Sequence, residues 1–550
     1  MNSILTGMVP MRDGCRLFTT IHFPEGQGPF PVILVRNLYR AKGSIASRQE
    51  VTGRGIALVE QDVRGSGLSE GRWEKPWIQE AEDGEDCLRW IVAQPWCNGR
   101  IAMRGGSYLG ATQWFAAGSG VEALVAISPG IAPCNYHESP KYQGGAFILQ
   151  QNIAWALGNW RKNLPCDNTP PMDVDKLSNF LPLIGIDQAA GLGEVPFWRT
   201  WLEHPCYDDY WRAFDLASFV DRIKAPAFIW SGWFDIYTQG ALDSFCLMRT
   251  AAGSPEARAL TFCVIGPWAH SEPAGEIPLG DGEFSRRRFV DEPEQAFLEA
   301  RLKGVETPSM PPLRYFLLGK NEWRTAETWP PAGVSDRSFY LHSGGTANTR
   351  FGDGVLSEEL PGEELPDCFL SDPRHPVPTT GGHGICVPNG SHDQSEVEER
   401  SDVLVYTSDV LKESLTIAGR IFVCLHASST APDTDFTAKL VDVYPDGRAF
   451  NIANGILRAR YRNSMETPEL LKPGEVCEYK IDLWSVANCF LPGHRIRLEI
   501  AGSDFPEFSR NNQTGRSIAE DTELRIARQT VLHDARHLSR LILPVLEESK

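Results

Sequence analysis

The sequence lacks long apolar runs, and it lacks an opening segment of the kind that directs secretion. No stretch of its 550 residues approaches the run of about 18 apolar residues that indicates a transmembrane helix. Residues 1–14 contain no basic region followed by an apolar one, which is the pattern of a signal peptide. We therefore expect neither a membrane-spanning segment nor a secretory leader.

Basic residues are outnumbered and do not form clusters. Lysine and arginine number 53 against 71 aspartate and glutamate residues, which gives a formal net charge of −18 at pH 7. Binding to a nucleic acid requires clustered positive side chains that neutralise phosphates. The composition therefore argues against a nucleic-acid partner, and its 42% hydrophobic and 23% charged residues are typical of a folded protein.

The thirteen cysteines include no CxxC pair and no closely spaced set. A secreted disulfide scaffold would need such a framework. A dispersed, odd number of cysteines is typical of reduced thiols that are mostly buried and pack as small hydrophobic residues. We therefore expect a cytoplasmic protein and assign no cysteine a function.

Strand and helix patterns alternate in two stretches of the chain, 1–130 and 225–311. The predicted strands are short, apolar and β-branched, as in a buried parallel sheet, and a predicted helix carries its apolar residues on one stripe. Predicted strands lie at 31–35, 56–62, 100–106, 124–128, 226–231 and 260–266, and predicted helices at 81–94, 108–117, 237–250 and 293–303. This alternation indicates an α/β fold with helices on both faces of the sheet.

Two other regions have a different pattern. Residues 131–224 are rich in Trp, Asn and Pro, carry helical patterns at 145–160 and 196–203, and interrupt the alternation. Residues 312–550 contain many short β patterns separated by turn signals, which is typical of an all-β sandwich. The sequence therefore predicts an α/β domain in two parts, an inserted helical cap and a C-terminal jelly-roll domain.

The segment RGGSYLG at 104–110 lies where a predicted strand turns into a predicted helix. A serine on such a sharp turn projects its hydroxyl out of the sheet, and neighbouring glycines let the backbone and a substrate approach closely. The nucleophile motif of α/β hydrolases is G-x-S-x-G, whereas here the following glycine lies three residues after Ser107. Ser107 is therefore a candidate nucleophile, and the alternative from local sequence is a helix cap in a glycine-rich turn.

Two further candidates follow later strands, in the chain order Ser, Asp, His that α/β hydrolases use. The string IWSGWFD ends with Asp235 just beyond the predicted strand 226–231, and VIGPWAH ends with His270 just beyond the predicted strand 260–266. Three such residue types in this order, each at a strand end, rarely occur by chance. We therefore predict that Ser107, Asp235 and His270 form a catalytic triad.

Several strings carry a resemblance to a known family. They are MRDG at 11–14, RNLY at 36–39, DVRGSG at 62–67, GSYLG at 106–110, GWFD at 232–235, GPWAHS at 266–271, DP at 372–373, PVP at 376–378 and PGH at 492–494. Over essentially its whole length the chain resembles the cocaine esterase and X-Pro dipeptidyl-peptidase group of serine hydrolases, which includes glutaryl-cephalosporin acylases and α-amino-acid ester hydrolases. The resemblance implies an α/β-hydrolase fold with no cofactor or metal, a small-molecule ester or amide as substrate, and a possible homodimer.

The resemblance also implies a role for each motif residue. Ser107 would attack an acyl carbonyl to form an acyl-enzyme, His270 would take the serine proton and return it to the leaving group, and Asp235 would orient the imidazole. The tetrahedral oxyanion would be held by the hydroxyl of Tyr39 and by the backbone N–H of Tyr108. These roles predict a complete catalytic site for acyl transfer to water.

Two aromatic residues are candidates for substrate contact. Trp155 is similar to a cap-helix tryptophan that faces the substrate in relatives, and Tyr237 matches an aromatic that contacts the acyl group. The alternative for both is ordinary core packing. His533 and His537 have the spacing of metal ligands on a helix, but the apolar residues after them predict a closing β segment instead, so we expect no metal there.

Other functions remain compatible with the same motifs. Acyl transfer to a nucleophile other than water, or cleavage after an X-Pro dipeptide, would use the same triad. A third possibility is a carbohydrate-binding protein in which the β domain binds a glycan and the α/β part is inert. The sequence favours hydrolysis because all three triad candidates are present.

Overall fold

The apolar strand segments of the first 330 residues form one large sheet and one short ribbon. The computed structural model describes residues 3–39, 45–163, 171–271, 274–280 and 283–547. The strands are β1 (Ile4–Pro10), β2 (Arg16–His22), β3 (Phe30–Asn37), β4 (Ala57–Asp62), β5 (Cys97–Gly106), β6 (Leu124–Gly130), β7 (Tyr142–Gln143), β8 (Ala146–Phe147), β9 (Phe228–Phe234), β10 (Phe262–Ala269), β11 (Leu313–Leu317) and β12 (Glu322–Ala326). The sheet has the order β1-β2-β4-β3-β5-β6-β9-β10-β11-β12, and β7 pairs with β8 in the ribbon.

The centre of this sheet is parallel and its two edges are antiparallel. Each neighbouring pair from β4 to β11 in the spatial order is parallel. The hairpin of β1 and β2 joins β4 in antiparallel fashion, and β12 closes the opposite edge against β11. The carboxyl ends of the central strands therefore lie along one edge, where α/β proteins bind ligands.

Helices cover both faces of the sheet. The described helices, including those of the inserted segment 131–224, are α1 (Ile45–Thr52), α2 (Glu80–Val92), α3 (Tyr108–Ala117), α4 (Leu149–Gln151), α5 (Gly158–Lys162), α6 (Val174–Ser178), α7 (Ile186–Ala189), α8 (Pro196–Glu203), α9 (Asp209–Arg212), α10 (Thr238–Ala251), α11 (Pro255–Ala259) and α12 (Glu292–Lys303). Successive residues of a strand face opposite sides, so Val32 of β3 joins the core under α2 and α3 while Ile33 joins the core under α1 and α12. No helix among the described ranges is long and apolar enough to cross a membrane.

The observed elements differ from the predicted ones at identifiable places. The hairpin of β1 and β2 has no counterpart in the predicted set, and the pattern at 145–160 divides into β8, α4, a π-type turn at Asn152–Leu157, and α5. The strands β11 and β12 fall in the region assigned to the C-terminal domain, 312–550, yet they extend the N-terminal sheet. The physical reason is that Leu313 and Tyr315 pair alongside the buried strand β10 and are themselves buried.

The C-terminal part of the chain is β-rich. Its strands are β13 (Val334–His342), β14 (Val355–Ser357), β15 (Asp367–Ser371), β16 (Leu404–Ser408), β17 (Leu415–Ser429), β18 (Asp435–Val443), β19 (Ala449–Arg458), β20 (Cys477–Phe490), β21 (Arg495–Ala501), β22 (Ala527–Leu532) and β23 (Arg540–Leu546). The long strands β17 and β20 pair over most of their length. The predicted combination of an α/β domain and a β-rich C-terminal domain is confirmed, whereas the jelly-roll topology stays a prediction.

One loop of the C-terminal domain, residues 382–390, reaches the carboxyl edge of the N-terminal sheet. Gly382 and Gly390 close this loop by exchanging two backbone hydrogen bonds of 2.7 and 2.9 Å, and both have a positive φ that favours glycine. The following residue, Ser391, donates its backbone N–H to the carbonyl of Ala274, which lies a few residues beyond β10. The 382–390 loop is therefore fastened directly beside the end of a central strand.

Candidate active site

Ser107 occupies the turn between β5 and α3 in a backbone conformation that few residues adopt. Its φ and ψ are 59° and −127°, and its N–H donates to the carbonyls of Gly130 and Ile131 at 3.0 and 3.1 Å. A Cβ on Gly110 would lie 2.7 Å from the Gly130 carbonyl oxygen, so glycine is needed where α3 packs against β6. The glycine three residues after Ser107 therefore provides the close approach that the turn requires.

Asp235 and His270 follow the adjacent parallel strands β9 and β10. Nδ1 of His270 lies 2.7 Å from Oδ2 of Asp235, whose side chain is fully buried. The other carboxylate oxygen, Oδ1, accepts the backbone N–H of Tyr237 at 2.7 Å. An ionised carboxylate only accepts hydrogen bonds, so Nδ1 carries the proton and Nε2 is left to accept one.

A cavity of about 320 Å³ lies at this edge of the sheet. Ser107 and His270 both face it, and no direct hydrogen bond joins them among the described residues; such bonds often form only in the substrate complex. The remaining lining residues are Tyr39, Gln151, Ala154, Trp155, Asn159, Lys162, Tyr237, Ile385 and Cys386. The structure thus brings most of the sequence-predicted site residues to one cavity, with Asp235 behind His270.

Tyr39 lies just beyond the end of β3, where its backbone N–H donates to Oδ1 of Asn37 at 2.8 Å. The Tyr39 hydroxyl is 3.4 Å from Oγ of Ser107 and accepts a hydrogen bond of 3.1 Å from Nε1 of Trp155. A phenol in this position has its hydroxyl beside the nucleophile, where a tetrahedral oxyanion would form.

Tyr108 places its backbone and its side chain in different environments. It is the first residue of α3, directly after Ser107, so its N–H has no partner within the helix. Its buried phenol instead donates to Oε1 of Glu80 at 2.7 Å and accepts from Nε1 of Trp73 at 3.1 Å. Only the backbone of Tyr108 can therefore act on a substrate.

Beneath the site lies a buried ion pair that the sequence analysis missed. Nη1 of Arg36 is 2.6 Å from Oε2 of Glu80, and the Arg36 side chain has no exposed surface. Nε of Arg36 also donates to Oε1 of Gln61 at 3.0 Å. A signal was present in the sequence, because Arg36 is a charged residue that directly follows the apolar run 30–35 within strand β3. The pair links the strand that carries Tyr39 to Glu80, the residue that binds the Tyr108 phenol.

The two aromatic candidates, Tyr237 and Trp155, both line the cavity. The Tyr237 ring is oriented edge-on to the His270 ring, at 5.7 Å between ring centroids, and is almost completely buried. Trp155 lies in the π-type turn between α4 and α5. Ile385 and Cys386, which were not predicted as site residues, enter the cavity from the 382–390 loop. No local sequence signal identifies these two residues, because only the packing of the domains brings them here.

His533 and His537 lie before β23 and face different partners. His533 is buried, with Nδ1 3.0 Å from Oε2 of Glu364 and Nε2 2.9 Å from Oδ2 of Asp367. His537 instead contacts the carboxylate of Asp534. Within the described ranges, no group of three or more His, Cys, Asp or Glu side chains is arranged to hold a metal ion.

Comparison with family models finds two matches that cover most of the chain. Residues 13–272 match the model described as X-Pro dipeptidyl-peptidase (S15 family). Residues 306–542 match the model of the X-Pro dipeptidyl-peptidase C-terminal non-catalytic domain. The two matches correspond to the α/β part and the β-rich part of the structure.

Comparison with individual proteins gives full-length similarity. The chain is 36% identical to a cocaine esterase from Rhodococcus sp. (strain MB1 Bresler), with 98% of each chain covered. A solved aminopeptidase from a marine sediment archaeon, Thaumarchaeota archaeon, is 27% identical with a TM-score of 0.86, covering 99% of this chain and 97% of the other. A solved α-amino acid ester hydrolase is also 27% identical, with a TM-score of 0.84 and coverage of 99% and 96%.

Proposed function

This chain belongs to the cocaine esterase and X-Pro dipeptidyl-peptidase (S15) family of serine hydrolases, and we propose that it cleaves ester or amide bonds in the cavity lined by Ser107, His270 and Tyr39. Membership confirms the predicted family and the predicted reaction class, hydrolysis of an ester or amide. The assignment of roles to individual residues is our proposal. The observation that carries it is the 2.7 Å contact of His270 with buried Asp235, beside a serine on a sharp turn.

We propose that the reaction proceeds through an acyl-enzyme. Nε2 of His270 takes the Ser107 proton as Oγ attacks the acyl carbonyl, and the new Oγ–C bond leaves a tetrahedral oxyanion. Asp235 keeps the imidazole in the required tautomer and stabilises its cation. Collapse of the intermediate breaks the bond to the leaving group, which receives the proton from His270. Water then repeats the sequence, releasing the acid and restoring the Ser107 hydroxyl.

Two donors serve the oxyanion in this proposal. The Tyr39 hydroxyl, 3.4 Å from Oγ of Ser107, is one donor, and the backbone N–H of Tyr108 at the start of α3 is the other. A helix N-terminus also favours negative charge because of its dipole. Such preorganised donors stabilise charge that develops in the transition state.

The test is Ser107→Ala, assayed by turnover of a p-nitrophenyl acyl ester and by labelling with a fluorophosphonate. We expect both signals to disappear. The control variant is Ser119→Ala, which removes a hydroxyl that binds the Ala116 carbonyl near the end of the same helix and should leave both signals intact. Undiminished labelling of Ser107→Ala would contradict the assignment.

The properties of the cavity favour a small-molecule substrate, and they favour one that carries no cationic amino group near the scissile bond. Its volume of about 320 Å³ suits a small acyl group, and its described lining includes one cation, Lys162, and no carboxylate. X-Pro dipeptide cleavage and transfer to another acceptor would use the same triad, so product analysis with dipeptide amides and candidate amines separates them. Trp155 and Tyr237 line the cavity, and we propose that both contact the acyl group.

We also propose a cytoplasmic location and no nucleic-acid or membrane partner. The twelve cysteines within the described ranges are all free, which supports a reducing compartment. The net charge of −18 disfavours phosphate binding. A homodimer stays a prediction, which light scattering on the purified protein tests.

A further inference from the structure

We propose that Trp155 is a positioning residue that directs the hydroxyl proton of Tyr39 toward the oxyanion. This role is distinct from any contact that Trp155 makes with the substrate. The inference rests on the proposed oxyanion role of Tyr39. It follows from the hydrogen bond of 3.1 Å between Nε1 of Trp155 and the Tyr39 hydroxyl.

The direction of this hydrogen bond is fixed by chemistry. An indole N–H only donates, whereas a phenol hydroxyl has one proton to donate and lone pairs that accept. Tyr39 is therefore the acceptor toward Trp155, and its own proton must point elsewhere. Oγ of Ser107, at 3.4 Å, is the hydroxyl's other polar neighbour among the described residues. The indole thus leaves the Tyr39 proton facing the nucleophile.

The same bond also improves Tyr39 as a donor. A hydroxyl that accepts a hydrogen bond donates more strongly, because bonds in a chain polarise one another. The effect grows as negative charge develops on the oxyanion, so it lowers the energy of the transition state more than that of bound substrate. Loss of the indole N–H should therefore reduce kcat rather than raise KM.

The position of Trp155 is fixed by aromatic neighbours that do not face the substrate. Its ring stacks on Trp77 at 6.2 Å between centroids, with 6° between the planes, and meets Trp73 edge-on at 5.7 Å. Nζ of the fully buried Lys141 lies 5.2 Å from the centroid of the Trp155 ring and 3.8 Å from that of the Trp201 ring. Burial lowers the pKa of the Lys141 amine well below its ordinary value, so the indoles pack around a buried amine rather than around a fixed charge.

The backbone at Trp155 departs from a regular helix. Residues Asn152–Leu157 form a π-type turn, and such turns recur at functional sites because they re-aim side chains. Nδ2 of Asn159 donates to the Trp155 carbonyl at 2.8 Å and secures the turn. The chain therefore fixes both the backbone and the ring of the residue that donates to Tyr39.

A double-mutant cycle with Tyr39→Phe and Trp155→Phe tests the proposal, using p-nitrophenyl acetate because its small acyl group depends little on the cavity wall. Tyr39→Phe should lower kcat by about 10²–10³-fold, as expected when one oxyanion donor is lost. Trp155→Phe should lower kcat by about three- to tenfold with KM nearly unchanged, which corresponds to one lost hydrogen bond. In the Tyr39→Phe background, Trp155→Phe should cause no further loss.

Two further variants serve as rescue and control. In Trp155→His, Nε2 takes the ring position of the indole Nε1, so this smaller residue should retain more kcat than Trp155→Phe. The histidine variant also keeps the proposal testable if Trp155→Phe folds poorly. Trp198→Phe removes an indole N–H of α8 that donates to the Leu183 carbonyl, outside the cavity lining, and should change kcat less than twofold.

The outcomes distinguish the positioning role of Trp155 from the oxyanion role of Tyr39. Additive losses in the double mutant, or an effect on KM alone, would overturn the positioning role and leave the proposed function intact. An unchanged kcat in Tyr39→Phe would overturn the oxyanion role and the positioning role together. Non-additive losses that lower kcat and leave KM unchanged support both roles.

Discussion

Nδ1 of His270 lies 2.7 Å from Oδ2 of Asp235, a carboxylate with no exposed surface. The two residues follow adjacent parallel strands, so their contact is set by the register of β9 and β10 rather than by a flexible loop. The other carboxylate oxygen is held by the Tyr237 backbone. The imidazole therefore has one orientation and one tautomer, with Nε2 available for the serine proton.

Asp235→Asn should retain the fold and lose most of the activity. The asparagine amide can donate to His270, which would stabilise the tautomer whose Nε2 carries the proton and cannot act as a base. Loss of this function in a Ser-His-Asp triad lowers kcat by about 10⁴-fold. Steady-state kinetics with a p-nitrophenyl ester measure the effect, and the thermal midpoint checks the fold. Retention of more than a tenth of the wild-type kcat would contradict the triad assignment.

Replacing Ser107 by glycine should stabilise the protein relative to replacing it by alanine. The φ of 59° strains any residue with a Cβ, at a cost of about 1–3 kcal/mol, and glycine avoids that strain. Glycine is more flexible than alanine in the unfolded chain. This flexibility lowers the stability of the glycine variant by about 0.4–1 kcal/mol and offsets part of the gain from relieved strain. Both variants should be inactive, while the glycine variant should have the higher thermal midpoint. A lower midpoint for the glycine variant than for the alanine variant would contradict the strain assigned to this turn.

Much of the fold could be predicted because local sequence and global structure agree in the central sheet. The apolar run at β3 and the one-sided helix α2 are visible in the sequence, and α3 has the predicted bounds, Tyr108–Ala117. The edge strand β12 could not be predicted, because none of its residues is fully buried and it carries no apolar alternation. Edge strands gain stability from pairing, which a local pattern does not reveal.

The candidate site likewise has a part that the sequence predicts and a part that it does not. The serine turn and the ends of β9 and β10 could be predicted because each is a strand end with its own motif. The contribution of Cys386 could not, since it depends on the closed 382–390 loop crossing from one domain to the other. The ion pair of Arg36 and Glu80 joins residues 44 positions apart, and only the packing of α2 on the sheet brings them together.

Alkylation of Cys386 should inactivate the enzyme. Its exposed side chain lines the cavity, so a maleimide adduct would fill space needed by the substrate. Desolvation by the surrounding protein raises the pKa of the Cys386 thiol, so the reactive thiolate is scarce at neutral pH. Inactivation by N-ethylmaleimide, followed as residual esterase activity, should therefore be faster at pH 8.5 than at pH 7. Cys386→Ala should be resistant, and Cys368→Ala, in the C-terminal domain, should remain sensitive.

His533 should stabilise the C-terminal domain in a pH-dependent manner. Burial alone would lower the pKa of its imidazole, but hydrogen bonds and charge interactions with Asp367 and Glu364 outweigh burial and raise the pKa above the ordinary 6.5. A group whose pKa is raised on folding contributes its full stabilisation below its unfolded pKa and loses it as the pH rises through the folded pKa. Wild type should therefore exceed His533→Gln in thermal midpoint most at pH 5.5, and the gap should narrow toward pH 9. The exposed His375 provides the control, since its replacement removes an imidazole from the surface rather than from a buried pair of carboxylates, and His375→Gln should leave the thermal midpoint close to that of the wild type. A gap for His533→Gln that widens with pH would show that the imidazole is neutral in the folded protein.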